Sequence, residues 1–108
     1  LSMEGMSGKK TRHFYNNICS MNDARYLEIG TWKGSSICSA MCNNKMTCVA
    51  IDNWSEFGGP KTDFLTNFNR YKGESNAIFI EKNCFFFSRW FYLFFFWCYN
   101  FVFSFLKM

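Results

Sequence analysis

Three short apolar runs constrain this chain more than any other feature: Arg25-Tyr26-Leu27-Glu28-Ile29, Thr47-Cys48-Val49-Ala50-Ile51 and Ala77-Ile78-Phe79-Ile80, each ended by glycine or a polar residue. Runs this short and rich in β-branched and aromatic residues predict strands. Helical patterns lie between them. Ser35 or Ser36 caps a helix through Ile37, Ala40 and Met41 to Asn43-Asn44, and Phe64, Leu65, Phe68 and Tyr71 recur at helical spacing until Gly73. Upstream, Phe14, Tyr15, Ile18 and Cys19 predict a first helix over 11–21, broken by Asn22-Asp23. Strands that alternate with helices at these lengths imply βαβ units joined by right-handed crossovers. The expected class is α/β, a parallel sheet with flanking helices.

At 108 residues and a net charge of +4, the chain has room for one compact domain. Its basic residues, among them Lys9, Lys10, Arg12, Lys33, Lys61, Arg70 and Lys82, are scattered rather than striped, so no nucleic-acid partner is expected. The cysteines at 19, 38, 42, 48, 84 and 98 contain no CxxC pair, and no histidine follows at metal-finger spacing. They are expected to be reduced. Cys38 and Cys42 share a helix face, where small buried apolar groups are the simplest assignment. His13, the only histidine, has no second ligand in view and is expected on a helix surface. The first ten residues are polar and contain glycine, unlike a secretory signal, so a cytoplasmic location is the default.

A parallel α/β sheet binds its ligand beyond the carboxyl ends of its strands. After the first strand comes Glu28-Ile29-Gly30-Thr31-Trp32-Lys33-Gly34-Ser35-Ser36. Gly30 permits a tight turn against a ligand, and Gly34 stands where the helix begins. A dinucleotide fingerprint would need glycine at Trp32 and at Ser35, so a pyrophosphate site is disfavoured. Glu28, two residues before Gly30, would attract an ammonium and repel a diphosphate. After the second strand, Asp52 lies about twenty residues past the glycine turn, a spacing at which a carboxylate can accept from both hydroxyls of a ribose. It could equally cap a turn with Asn53. After the third strand, the Asn83 amide could bond an adenine edge.

YLEIGTWKGSS, followed by VAIDNWSEFGGPKTDFLTNF and IFIEKNC, resembles the class I S-adenosylmethionine-dependent methyltransferases over roughly positions 12 to 84. The resemblance implies a Rossmann-like fold with S-adenosylmethionine as cofactor. It places Glu28 and Gly30 beside the methionine portion, with Thr31, Gly34, Ser35 and Ser36 nearby. Asp52 would hold the ribose, and Asn53 or Trp54 would approach the adenine. Trp54 either stacks on the base or covers the core, and core cover is the simpler role. Methyl transfer needs alignment of the acceptor and, for hydroxyl or amine acceptors, removal of a proton. The family places that machinery after its fourth strand, often as an Asp with a following His, which this chain lacks. The methyl acceptor therefore stays unspecified, as do the catalytic residues.

From position 85 the composition changes: 85–108 holds most of the phenylalanines and two of the four tryptophans. As a membrane segment, 85–106 has the ~20 apolar residues that cross a bilayer. As a core element it would leave a large aromatic patch in need of a partner. As the product of a shifted reading frame through thymine-rich coding sequence, its monotony needs no structural cause. The third origin fits best, because the resemblance stops where the tail starts. The expectation is an incomplete domain, with the cofactor-binding half at 1–84 and the hydrophobic tail at 85–108. The alternative is a membrane-anchored small α/β binding module without catalytic activity, whose tail mediates membrane association or self-association.

Overall fold

The computed structural model describes residues 3–55 and 58–82 and, further along, the backbone of a strand at 101–105. The elements run α1 (Lys9–Ile18), β1 (Arg25–Ile29), α2 (Ser35–Met41), β2 (Thr47–Asp52), α3 (Lys61–Tyr71), β3 (Asn76–Glu81) and β4 (Phe101–Phe105). Every pairing is parallel and the order across the sheet is β3-β2-β1-β4. The α/β class, the parallel sheet and its helices thus follow the sequence pattern. Asn83, Cys84 and residues 85–100 lie outside the described residues, while 101–105, part of the stretch set apart by composition, pairs with β1.

Side-chain alternation sorts the sheet into two faces. Tyr26 aligns with Cys48 and Ala77 in one rung, and Glu28 with Ala50 and Phe79 in another. These residues face the helices. Tyr26, Cys48 and Ala50 share one buried cluster with Ile37, Cys38, Ala40 and Met41 of α2 and Phe64 and Phe68 of α3. Intervening positions point the other way, where Leu27, Ile29 and Ile51 form a separate cluster with Val49 and Ile80. Two successive βαβ units stepping in the same direction, β1 to β2 to β3, put their helices on one face.

Phe64 is the centre of the helix-side core. It is fully buried, and its ring lies 4.8 Å from Trp54, 5.1 Å from Phe68 and 5.8 Å from Phe79, centroid to centroid. Offset and edge-on rings at such separations add to the burial of their area. Helix α1 packs beside α2. Tyr15 packs edge-on against Tyr26 at 5.8 Å, and the Asn16 amide donates to the carbonyls of Ser39 and Cys42, both at 2.8 Å, tying α1 to the end of α2. His13 is exposed on α1, as expected.

Two helices are shorter than their patterns. Helix α1 ends at Ile18 rather than Met21, with Asp23 in the left-handed region at φ 58° before β1. Helix α2 ends at Met41 because Cys42 adopts an extended ψ of 116° and Asn43 turns left-handed at φ 59°, a conformation asparagine tolerates. Among the described residues, no helix is long and apolar enough to cross a membrane.

The four described cysteines are free thiols. Burial pushes the Cys19 thiol up to about 11 and Cys48 to about 12, and raises Cys38 further; the Glu28 carboxyl adds to the rise at Cys38 and Cys48. A thiol held in its neutral form is a poor nucleophile and a poor metal ligand. Of these four, Cys42, which is half-buried, is expected to be alkylated first at pH 8, with Cys38 and Cys48 protected until unfolding. Peptide mapping by mass spectrometry after timed iodoacetamide treatment checks the order. Early labelling of Cys38 or Cys48 would contradict it.

Candidate functional site

The order β3-β2-β1-β4 makes β1 the strand from which the chain departs in one direction, through β2 to β3, before returning to its other side. In open parallel sheets the crevice beyond the carboxyl ends at such a point is where ligands bind. Two loops frame it here, residues 30–34 after β1 and 53–60 after β2, of which 56 and 57 lie outside the described residues.

In the first loop, Gly30 takes φ 79° and donates its amide to the Ile51 carbonyl at 2.8 Å, so the chain turns away from the sheet while staying bonded to β2. Gly34 closes the loop at φ 86°, its amide donating to the Thr31 carbonyl at 2.8 Å. A Cβ there would come 3.1 Å from the Phe64 ring and 3.4 Å from the Cys38 sulfur, so the conformation favours glycine and a side chain would also press on the Phe64 ring. Thr31 and Ser35 are buried, and Ser36 is half-buried.

Asp52 joins the two loops. Its Oδ2 accepts from the Trp32 amide and its Oδ1 from the Trp54 amide, each at 2.8 Å. The Trp54 indole in turn donates to the Trp32 carbonyl at 2.8 Å. Both tryptophans have φ 51°, a left-handed conformation rare for bulky residues. Strain of this kind costs on the order of 1–3 kcal/mol per residue and persists only where surrounding contacts over-determine it, typically at ligand clamps. The Asp52 carboxylate supplies those contacts through charge-assisted hydrogen bonds. It also makes the turn to its own loop that a lone aspartate commonly makes, so the turn-capping role considered from the sequence is realised, together with a cross-loop link that it did not include.

The remaining predicted residues separate into groups. Trp54 is only 5 % exposed and packs on Phe64, so it covers the core rather than presenting a face to a base. Asn53 accepts from the amide and hydroxyl of Ser55 at 3.1 and 2.8 Å, closing a local turn. Asn83 lies outside the described residues. Glu28 is 1 % exposed, because it shares strand parity with Tyr26 and so points under α2; its Oε1 accepts from the Tyr26 hydroxyl at 2.8 Å. Its carboxyl therefore lies in the core under α2 rather than at the open surface of the loop.

Sequence spacing gave no sign of several neighbours of the site. The Lys33 ammonium is 2.9 Å from Glu4 and 3.7 Å from Asp63, and it lies 4.8 Å from the centre of the Trp32 ring. The hydrogen bond it donates to the Glu4 carboxylate holds it above the usual lysine range. Asn67 of α3 donates to the Lys33 carbonyl at 2.9 Å, and Lys61 pairs with Glu81 to join α3 to β3. These partners are distant in sequence and carry no motif of their own. A groove of about 590 Å³ runs between α1 and α2 past Arg12, Asn16 and Cys42, and another of about 700 Å³ lies at the amino ends of the strands near Ala24, Thr47 and Asn76. Neither coincides with the paired loops, and the amino end is not where parallel sheets place their ligands.

No protein-family model matches the chain, and no curated protein matches it.

Proposed function

We propose that this chain is the cofactor-binding part of an S-adenosylmethionine-dependent methyltransferase, with a Rossmann-like sheet whose ligand lies across the loops after β1 and β2. The observation that carries the proposal is the Asp52 clamp: two strained loops drawn together by one half-buried carboxylate at the carboxyl edge of the sheet. An ionised carboxylate has about four acceptor sites, and two are occupied by the backbone amides. The other two suit the vicinal hydroxyls of a ribose. Gly30 and Gly34 bring the backbone close to the methionine portion, with Thr31, Ser35 and Ser36 around it. The glycine spacing argues against a dinucleotide, since no third glycine opens α2 to a pyrophosphate.

Binding is the activity proposed; turnover requires an acceptor site and, for hydroxyl or amine acceptors, a base. Isothermal titration of the folded chain with S-adenosylmethionine and S-adenosylhomocysteine is expected to give saturable binding of both, with NAD failing to compete. A folded protein that releases no heat with either ligand, or that prefers NAD, would overturn the proposal.

A further inference from the structure

The segment preceding α1 does not hang free of the candidate site. The Ser7 hydroxyl lies 2.8 Å from that of Ser35, Glu4 pairs with Lys33 at 2.9 Å, and Met3 packs against the helix-side core. One guanidinium fastens both ends: Arg12 Nη1 donates to the Met3 carbonyl at 2.9 Å, and Nε donates to the Ser7 carbonyl at 3.0 Å and its hydroxyl at 3.2 Å. Between these anchors Gly5 lies so close to Ser35 that a Cβ on it would fall 2.1 Å from the serine Cβ and Oγ. Only glycine lets the segment lie flush on the start of α2.

We infer that residues 3–8 form a strap, latched by Arg12, that makes the outer wall of the cofactor pocket at the methionine end. This rests on the function proposed above. The strap touches the binding loop at Lys33 and Ser35, two residues beside the Gly34 turn, and it reaches them from a part of the chain that the glycine motif does not include. Its exposed ion pair with Lys33 contributes little, since Glu4 is largely in solvent. The half-buried Met3 contact and the Arg12 bonds hold it. A wall fixed in advance of ligand lowers the ordering cost of binding.

The test is the affinity of the intact chain for S-adenosylhomocysteine, measured by calorimetry for the parent and for Gly5→Ala, Ser7→Ala and Arg12→Ala, with thermal unfolding to confirm that each variant is folded. Gly5→Ala and Arg12→Ala are expected to weaken binding roughly tenfold through loss of the preformed wall. Ser7→Ala, the mildest change, serves where Arg12→Ala does not fold, and its expected loss is two- to threefold, about that of one weakened polar contact. Hydrogen exchange at residues 3–8 and 30–36 is expected to slow together when ligand is added. Unchanged affinity in folded variants overturns the strap alone. Tighter binding does so too, because it would make the segment an obstruction. A folded parent that binds no S-adenosylhomocysteine overturns the functional proposal and the strap with it.

Discussion

Phe64→Ala is expected to remove a large share of the stability of the domain. Truncating a fully buried phenylalanine costs about 3–5 kcal/mol, and small domains are stable by only about 5–15 kcal/mol in total. Phe64 is fully buried and touches rings from three different elements, Trp54 after β2, Phe68 on α3 and Phe79 on β3, so collapse around the hole would have to move all three. It also backs Gly34, whose Cα faces the ring. The loss should therefore appear at the loop after β1 as well as in the core. Urea denaturation followed by far-ultraviolet circular dichroism measures it, with Phe14→Ala as the control. Phe14 is 58 % exposed, and its removal is expected to shift stability by no more than about 0.5 kcal/mol. Comparable small shifts for both would mean that α3 does not pack on β3 as described.

What was legible in the sequence was the periodicity. The short apolar runs marked β1, β2 and β3 to within a residue or two, although β3 stays largely exposed, and the stripe Phe64, Leu65, Phe68 and Tyr71 marked α3, because strand and helix repeats carry their own spacing. Helix ends were less legible. Asn43 turns left-handed just past α2, and α1 gives way to turns in which the Ser20 and Met21 amides bond back to Asn17 and Ile18, local hydrogen bonding that periodicity does not encode.

At the site, Gly30, Gly34 and Asp52 were legible because glycine at a tight turn and an acid at a strand end carry their geometry in their identity. The direction in which Glu28 points was not. Its position two residues before Gly30 suggested a ligand-facing carboxylate, yet two residues is also one full repeat of a strand, which places it with Tyr26 under α2. The strap contacts were hidden for a different reason: Ser7 and Ser35 are 28 positions apart, and only the tertiary path of α1 brings them together.

Asp52→Ala is expected to abolish measurable S-adenosylhomocysteine binding while leaving the sheet intact, a fall of at least about a hundredfold, equivalent to roughly 2.7 kcal/mol. Two effects add. The ribose loses its carboxylate acceptor, and hydrogen bonds to a charged group contribute about 1.5–3 kcal/mol each. In addition, the amides of Trp32 and Trp54 lose the partner that holds both residues in the left-handed region. Relief of that strain lets the loops relax away from the geometry the ligand needs, so part of the lost affinity is lost preorganisation. Asp52→Asn separates the two effects. One amide oxygen can still accept from a tryptophan N–H, but the NH₂ that replaces the second oxygen faces a backbone donor and offers nothing to it. Binding should fall nearly as far as in the alanine variant, with a smaller drop in thermal midpoint. If Asp52 only closes a turn, both variants will lose stability and keep their affinity for S-adenosylhomocysteine within a few-fold of the parent, and the ribose role is then wrong.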